Sequence, residues 1–278
     1  HIPILCDDLM GSYAERLIQS VDKGLCGDQE YQDSDEVVAG QVQLLSQLLQ
    51  SSRYCIIHTG AGISTAAGIS DFRGPNGVWT LQELGLKPET DTPFHEAKPT
   101  FTHLAIVKLV EVGLVKHVVS QNVDGLHIRS GLPRQHLSEV HGTAFAEWCD
   151  NCQEEVRTNI PVDTIGLKAT GNVCQMCGGP VRDMLCDWDS ELPESEVERA
   201  ITEHRRSDLT ICVGSSMRIR PAGLWPERTL RKNGKPGPGQ ICVINLQKTH
   251  LDRRCAIRIF ARCDDVFRLL LENLGLSK

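Results

Sequence analysis

Residues 60–74 read GAGISTAAGISDFRG and directly follow the short apolar run of residues 54–57. An apolar run that ends in Gly-x-Gly and small residues predicts a buried strand that turns into a helix. Glycine lets the backbone approach a ligand closely, and free N–H groups at a helix N-terminus favour an anion such as a pyrophosphate. Thr65 stands where the dinucleotide-binding fingerprint has its third glycine. The turn alone therefore fits an ordinary structural turn as well as a dinucleotide site.

The end of this segment is more specific than its beginning. Asp71, Phe72 and Arg73 add a carboxylate, an aromatic ring and a guanidinium to the glycine-rich turn. Plain packing does not need these three groups together, so they favour a ligand site. Structural alternatives stay open for three residues: Asp71 can cap a turn, Arg73 can pair with a surface carboxylate, and Trp79 can fill the core.

Four short runs rich in Val and Ile are apolar on both faces, at residues 54–57, 115–119, 209–213 and 241–244. This pattern is typical of parallel strands covered by helices on both sides. Apolar residues recur at helical spacing in four further segments, residues 38–50, 100–112, 195–204 and 264–274. We expect Asp264 to cap the last of these helices and Gly275 to end it. The alternation predicts a doubly wound, Rossmann-like α/β fold with a parallel sheet.

Each apolar run ends in polar or glycine-rich residues. The runs are followed by GAGIS, by SQNVDGLH at 120–127, by GSS at 214–216 and by Asn245-Leu246-Gln247. Ligands in open α/β sheets bind beyond the carboxyl ends of the strands. We therefore expect the four strand ends to outline one crevice.

Four cysteines form two C-x-x-C hooks, Cys149 with Cys152 and Cys174 with Cys177. Two such hooks predict a structural, tetrahedral zinc site, because four thiolates leave no open coordination position for catalysis. Redox-active or simply buried thiols are the alternative. The intervening residues carry few apolar side chains, so we expect the metal to supply the stability of a small module inserted into the α/β domain.

Composition bounds the remaining possibilities. The chain has 278 residues, 40% of them apolar, and a net charge of −7, which argues against a mainly electrostatic grip on DNA. No apolar stretch approaches the roughly 18 residues of a membrane span, and no signal peptide is predicted at the start. The eight cysteines outside the quartet are scattered, which is typical of a reducing compartment.

The motifs GAGIS, DFRG, QNVDGLH, His141-Gly142, the cysteine hooks, GSS and VIN occur in the order found in the sirtuins. The chain resembles this family of NAD-dependent protein deacylases over roughly residues 40–275. It is most similar to the nuclear sirtuin-6/sirtuin-7 branch, and within it to the sirtuin-6 type, through GPNGVW, GLKATG, Asp187-Trp188 and IRP. We predict three parts, an N-terminal extension of mixed polar residues (1–36), a Rossmann-like NAD-binding domain (37–143 and 188–278) and an inserted zinc-binding module (144–187). The extension is expected to wrap the core or to be partly disordered.

The resemblance also implies roles for individual residues. His141 would be the catalytic base, with Asn122 and Gln121 at the nicotinamide ribose and Asp124 at the carboxamide. The other implied NAD contacts are Gly60, Ala61, Gly62, Thr65, Asp71, Phe72, Arg73, Trp79, Gly214, Ser215, Ser216, Asn245, Gln247 and the backbone near Cys263. Five other histidines are expected to be structural, namely His58, His103, His117, His127 and His136.

The chain departs from the family pattern at a few positions. Ser70 replaces the usual proline before Asp71, which removes a fixed φ from the loop that carries the DFRG motif. Ala67 replaces a common serine, and Ser215 replaces a common threonine. Asp187-Trp188 replaces the usual Phe-Gly-Glu stretch, which leaves the acyl-chain preference open.

The function implied by the resemblance is that of an NAD-dependent protein-lysine deacylase, a histone deacetylase or long-chain deacylase that releases nicotinamide and O-acyl-ADP-ribose. The implied cofactors are NAD and one structural zinc ion. The alternatives are a protein mono-ADP-ribosyltransferase that uses the same NAD cleavage, and a non-catalytic NAD-binding chromatin module. Implied partners are acyl-lysine proteins, above all histone tails, with chromatin or the nucleosome as a further partner and no membrane. The implied location is the nucleus.

Overall fold

The computed structural model describes residues 13–89, 91–232 and 235–277. The first twelve residues of the predicted N-terminal extension and Gly234 of the predicted loop 234–239 lie outside the described residues. Within the described ranges, none of the helices has the length and apolar character needed to cross a bilayer.

The α-helices are α1 Tyr13–Arg16, α2 Asp35–Ser51, α3 Val78–Glu83, α4 Phe101–Glu111, α5 Leu126–Arg129, α6 Glu194–Arg206 and α7 Cys263–Asn273. Short 3₁₀ turns cover Ala61–Ile63, Thr65–Ala67, Arg134–His136 and Ala222–Arg228. The strands are β1 Cys55–Thr59, β2 Val115–Ser120, β3 Leu137–Glu139, β4 Gly142–Cys149, β5 Glu154–Arg157, β6 Ala169–Val173, β7 Pro180–Leu185, β8 Leu209–Val213, β9 Arg231–Lys232, β10 Lys235–Pro236, β11 Gln240–Ile244 and β12 Ile257–Ile259.

Six strands form a parallel sheet in the order β12-β11-β8-β1-β2-β3. The four predicted strands are its centre, which confirms the predicted Rossmann-like α/β class. The edge strands β3 and β12 were not predicted, because each has only three residues and shows no distinct apolar run. The loop predicted over 234–239 contains β10, which pairs with β9 in a short hairpin.

Helices cover both faces of this sheet. On one face, Ile57, Ile211 and Ile244 are fully buried in a large core with Leu45 of α2 and Phe267 of α7. On the other face, two smaller clusters bury the alternate strand residues, including Val119 against Ala200 and Trp225, and Val243 against Met217. Burial on both faces is the physical reason that the strand sequences are continuously apolar.

Two local expectations were wrong. Residues 61–67 form two 3₁₀ turns instead of a helix, since the Gly62 N–H donates to the Gly214 carbonyl (2.8 Å) and Gly68 ends the second turn at φ +82°. Asp264 does not cap α7, whose N-cap is Arg262. The Oδ1 atom of Asp264 instead accepts hydrogen bonds from the Thr102 backbone N–H (2.9 Å) and hydroxyl (2.5 Å). Asp264 therefore links α7 to α4 and does not cap its own helix.

The segment with the cysteine hooks folds into a second, antiparallel sheet in the order β5-β4-β7-β6. Its sequence runs from Gly142 to Leu185, between β3 of the parallel sheet and α6. The exact limits of the three predicted parts stay a prediction.

The described part of the N-terminal extension crosses the parallel-sheet domain. Tyr13, Ala14 and Leu17 pack in one cluster with Trp79. Farther along, the backbone N–H of Tyr31 donates to Leu246 O (2.9 Å). These contacts lead from α1 to the β11 end of the sheet.

Candidate active site

A cleft of about 1540 Å³ lies beyond the carboxyl ends of the parallel strands. Its walls include every residue that sequence reasoning placed at the catalytic or cofactor site: Gly60, Ala61, Gly62, Thr65, Asp71, Phe72, Arg73, Trp79, Gln121, Asn122, Asp124, His141, Gly214, Ser215, Ser216, Asn245, Gln247 and Cys263. The fold therefore brings the predicted set together in one place. Their individual roles toward a ligand stay predictions.

The floor of the cleft is built where the turns after β1 and β8 meet. A Cβ atom added to Gly60 would lie 2.6 Å from the Ser215 Cβ, and one added to Gly62 would lie 2.9 Å from the Gly214 Cα. Side chains at these positions would separate the two turns, so glycine is required for their close contact. Thr65, at the place of the missing third glycine, donates its hydroxyl to Gly62 O (3.2 Å) and closes the turn on itself.

His141 lies in the link between β3 and β4, with its Nδ1 3.1 Å from the backbone carbonyl oxygen of Gln121. A carbonyl oxygen only accepts, so Nδ1 carries the proton and Nε2 of the neutral ring keeps its lone pair. Desolvation lowers the pKa of His141 below its usual 6.5, and the bond to Gln121 partly opposes this shift. The imidazole is therefore a free base at neutral pH.

Gly142 explains why glycine follows this histidine. Its φ is +78°, and a Cβ atom there would collide with the carbonyl oxygen of Met184 in β7. Only glycine at position 142 therefore lets the chain after His141 pass this close to the backbone of β7.

Asn122 and Asp124 are joined through Ser64. The buried carboxylate of Asp124 accepts hydrogen bonds from the Ser64 hydroxyl (2.6 Å) and from the Leu126 N–H (2.9 Å). The Asn122 Nδ2 donates to Gly60 O (3.1 Å) and approaches the Ser64 oxygen at 3.4 Å. Among the described residues, these contacts use the amide nitrogen of Asn122 and leave its carbonyl oxygen without a hydrogen-bond donor. Ser64 was not singled out from the sequence, although it is the last residue of GAGIS.

Asp71 caps a turn and Trp79 packs in the core, as the structural alternatives for these two residues expect. Asp71 Oδ1 accepts from the Gly74 N–H (2.8 Å) and holds the turn. Trp79 is 2% exposed and packs against Phe72 and Trp188, with ring centroids 4.6 and 5.3 Å away. Both residues support the wall of the cleft as well as lining it.

Arg73 is buried beside this wall, so the alternative of an ion pair on the surface does not describe its position among the residues that the structure covers. Its Nε donates to Lys23 O (3.0 Å), and its guanidinium lies 4.5 Å from the Trp79 ring centroid. Burial lowers the pKa of Arg73 to about 10, which leaves the side chain charged at neutral pH.

The far end of the cleft is held by the N-terminal segment. Gln247 is buried and donates from Nε2 to Asp28 O (2.8 Å) and Arg73 O (3.2 Å). Arg218 pairs with Asp28 at 2.5 Å and also lines the cleft. Sequence reasoning missed Arg218 and Tyr13, because neither lies in a motif and both reach the cleft only through tertiary packing.

The four predicted metal ligands also come together, and their Sγ atoms all lie within 4.8 Å of one another. Cys149 and Cys177 are 3.5 Å apart, and Cys152 and Cys174 are 3.7 Å apart. A tetrahedral zinc ion with Zn–S bonds of about 2.3 Å places its sulfur atoms about 3.8 Å apart. The cluster therefore fits a structural zinc ion.

A ring of charged groups connects the antiparallel sheet to the parallel domain. Arg134 lies 3.0 Å from Glu155 of β5 and 2.8 Å from Glu196 of α6. Arg157 of β5 pairs with Glu155 and, at 2.5 Å, with Glu139 of β3. Glu139 and Glu196 are each 4% exposed, so these acids depend on their partners.

Comparison with known proteins identifies the family. The model described as "Sir2 family" matches residues 86–221. The NAD-dependent protein deacetylase Sirt6 of Drosophila melanogaster is 40% identical over 275 residues, which are 96% of this chain and 85% of that protein. The chain belongs to the Sir2 family, the sirtuins. The family stated from the motifs is confirmed.

Other relatives of this sirtuin are longer. NAD-dependent protein deacetylase SRT1 of Arabidopsis thaliana is 42% identical over 268 residues, 95% of this chain and 56% of that protein. Human sirtuin-7 is 39% identical over 259 residues, 90% of this chain and 64% of that protein. The chain thus spans somewhat more than half of these two relatives.

Solved structures share the fold. The one named "Sir2-p53 peptide-NAD+" is 27% identical with a TM-score of 0.64, covering 84% of this chain and 98% of that one. The one named "Sir2 bound to acetylated peptide" is 27% identical with a TM-score of 0.65, covering 85% and 99%.

Proposed function

We propose that this sirtuin is an NAD-dependent protein-lysine deacylase. The observation that carries the proposal is His141, a neutral imidazole with its Nδ1 proton tied to Gln121 O, in a cleft lined by every residue that the motifs assign to NAD. The relatives named as NAD-dependent deacetylases and the solved structures named with NAD+ and an acetylated peptide support it.

The residues of the cleft fit a bound dinucleotide. The glycine turns leave backbone close to the ligand, and Gln121, Asn122 and Asp124 offer amide and carboxylate groups at the end near His141. When bound, NAD supplies a glycosidic bond to nicotinamide that can be broken and a ribose that can accept the acyl group. The Nε2 of His141 then serves as general base and takes a proton from a hydroxyl group placed in the cleft.

Neighbouring groups keep this base effective. Asn122 is neutral, so it orients a hydroxyl without competing for the proton. Asp124 is held rigidly by Ser64 and the backbone of Leu126, which suits a group that positions a carboxamide. Aromatic walls from Phe72, Trp79 and Trp188 exclude water, which otherwise competes for the cleaved sugar.

The same proposal covers the metal, the parts of the chain and the substrates. Cys149, Cys152, Cys174 and Cys177 hold one zinc ion that stabilises the module at 144–187, as four thiolate ligands without an open position do. Histone tails are the proposed substrates and the nucleus the proposed location, supported by similarity to the sirtuin-6 and sirtuin-7 relatives.

The test is turnover of acyl-lysine histone peptides, acetylated and long-chain, with NAD. We expect nicotinamide and deacylated peptide in equal amounts. His141→Ala should lower turnover by about 10²–10⁴-fold while calorimetry still shows NAD binding. His136→Ala is the matched control, since the half-buried His136 contacts Lys116 O and does not line the cleft.

Two outcomes would contradict the proposal. One is the absence of turnover with every acyl chain, and the other is an active His141→Ala variant. Radioactivity that passes from labelled NAD to protein would instead identify an ADP-ribosyltransferase.

A further inference from the structure

A series of hydrogen-bonded side chains runs from α6 by way of β1 to the Gln121 amide in the cleft. His204 Nδ1 lies 2.7 Å from Ala200 O, and His204 Nε2 lies 3.2 Å from His58 Nδ1. His58 Nε2 in turn lies 3.0 Å from Gln121 Nε2. Both histidines are fully buried. From the sequence, His58 is expected to be structural and His204 has no predicted role.

The Ala200 carbonyl, at one end of this series of hydrogen bonds, fixes which nitrogen of each imidazole carries the proton. The Ala200 carbonyl only accepts, so His204 carries its proton on Nδ1 and offers a lone pair at Nε2. His58 must then donate from Nδ1, which leaves its own Nε2 as an acceptor. Burial holds the pKa of His204 at about 4, and burial together with His204 holds the pKa of His58 well below 6.5, so both rings are neutral.

The consequence reaches the amide of Gln121. Since His58 Nε2 can only accept, Gln121 must turn its NH₂ group toward it. The second hydrogen of that group points to the Ser215 oxygen, also 3.0 Å away. The Ser215 oxygen also accepts from the Met217 N–H (3.1 Å), which leaves its own hydrogen for another acceptor. The Gln121 carbonyl oxygen is the end of the amide that remains for a ligand.

We propose that His58 and His204 are positioning residues that fix the Gln121 amide with its carbonyl oxygen, and not its NH₂ group, available to the ligand. The group recognised by this oxygen is a hydrogen-bond donor such as a sugar hydroxyl. The Ser215 hydroxyl beside it is left to donate to an acceptor. The inference rests on the proposed function for the identity of the ligand, NAD, but the arrangement of protons stands on its own.

The arrangement can be measured without ligand or activity. Proton–nitrogen correlation NMR of the unmodified protein distinguishes the two tautomers of each buried imidazole. We expect His58 and His204 both to be neutral with the proton on Nδ1. A proton on Nε2 of either ring, or a doubly protonated ring at neutral pH, would overturn the proposal even if the protein deacylates peptides.

Two substitutions at His204 separate positioning from space filling. His204→Gln keeps an acceptor for His58, whereas His204→Leu removes it and frees His58 to donate toward Gln121. We expect His204→Leu to lower kcat/KM for NAD about tenfold, the effect of one misdirected hydrogen bond. His204→Gln should stay within about threefold of the unmodified protein, and kcat/KM for the acyl peptide at saturating NAD should change little in either variant.

A double substitution tests whether His204 acts through Gln121. In a Gln121→Ala background, adding His204→Leu should change kcat/KM for NAD less than about twofold, because coupled residues are not additive. The matched control is His117→Leu, which removes a buried histidine bonded to Ser138 (2.8 Å) on the same sheet but outside the cleft walls. We expect its kinetics toward NAD to be unchanged. Equal losses from His204→Leu with and without Gln121 would show that His204 only fills space.

The two proposals fail in different ways. An unmodified protein that turns over no acyl peptide contradicts the deacylase, and the tautomers still decide the proton arrangement. A working deacylase with the wrong tautomers, or with a fully active His204→Leu variant, contradicts only the role of the histidine pair.

Discussion

The two sheets of this protein are stabilised by different physics. The parallel sheet buries apolar residues on both faces, with Ile57, Ile211 and Phe267 fully inaccessible to solvent. In the antiparallel sheet, the cluster around the hooks contains only Cys149, Cys174 and Val181 as buried members, and β6 is largely exposed. The other buried apolar residues of this sheet, such as Phe145 and Leu185, pack in a cluster shared with α1 and Trp79. Around the hooks themselves, four thiols take the place of a core. Hydrophobic burial accounts for the first sheet, whereas we expect the hook end of the second sheet to depend on a bound metal.

His141 lies where the two sheets meet. Its imidazole is held by Gln121 O at the end of β2, and its backbone carbonyl accepts from the Cys186 N–H (3.2 Å) just after β7. Each sheet therefore contributes one hydrogen bond to the position of the proposed base. A change in either sheet should reach the chemistry, but to different extents.

The largest effect is expected from Cys174→Ser. Loss of one of four thiolates should abolish binding of about one zinc ion per chain and unfold most of the antiparallel sheet, because metal binding supplies its folding free energy. Metal analysis measures the zinc content, and hydrogen exchange compares the protection of strands β4–β7 with that of β1, β2 and β8. Cys255→Ser is the control, since that thiol lies outside the metal cluster. Retained zinc, or loss of structure in both sheets at once, would contradict the proposed difference between the sheets.

Next in size is Phe267→Ala in the core between α7 and the parallel sheet. Removing a fully buried ring should lower the free energy of unfolding by about 3–5 kcal/mol through lost burial and a residual cavity. Ile160→Ala in the zinc module removes a side chain that is 72% exposed, so its effect should stay within about 0.5 kcal/mol. Urea denaturation of both zinc-loaded variants provides the measurement, and similar losses would contradict the contrast between the sheets.

Arg134→Met should have an intermediate effect. It leaves Glu155 and the buried Glu196 without their shared partner, which should cost about 2–3 kcal/mol. Arg182→Met removes a more exposed pair with Asp150 and should cost at most about 1 kcal/mol. The unfolding temperatures of the two variants in low and in high salt distinguish a buried ion pair from an exposed one. An equal, salt-sensitive loss in both would show that the ring acts as ordinary surface charge.

The smallest effect concerns the pH dependence of turnover. A base is active while unprotonated, and desolvation lowers the pKa of His141, so activity should persist as pH falls to 6.5 and be lost only below it. In Arg134→Met, looser contact between the sheets should admit water and move the pKa of His141 back up toward 6.5. Profiles of kcat/KM for the acyl peptide at saturating NAD test both statements. A profile that already falls well above 6.5 in the unmodified protein would contradict them.

The sequence patterns alone determined the central strands, the long helices and the cysteine cluster. The resemblance to the sirtuins supplied the cleft residues away from the strand ends, such as Trp79 and His141. Apolar runs, helical periodicity and C-x-x-C spacing are local signals, and parallel strands align their carboxyl ends whatever their neighbours are. For the same reason the motifs at four strand ends were expected to converge, and they do.

Only the tertiary structure decided which groups those residues contact. The 3₁₀ turns after β1 follow from the contact of Gly62 with Gly214, and Asp264 bonds to Thr102 instead of capping its own helix. His58 contacts His204, which lies on a helix distant in sequence, and the proton positions that we infer for the two rings fix the orientation of the Gln121 amide. Hydrogen-bond partners far apart in sequence have no periodic signature, since they depend on how elements pack and not on the elements themselves.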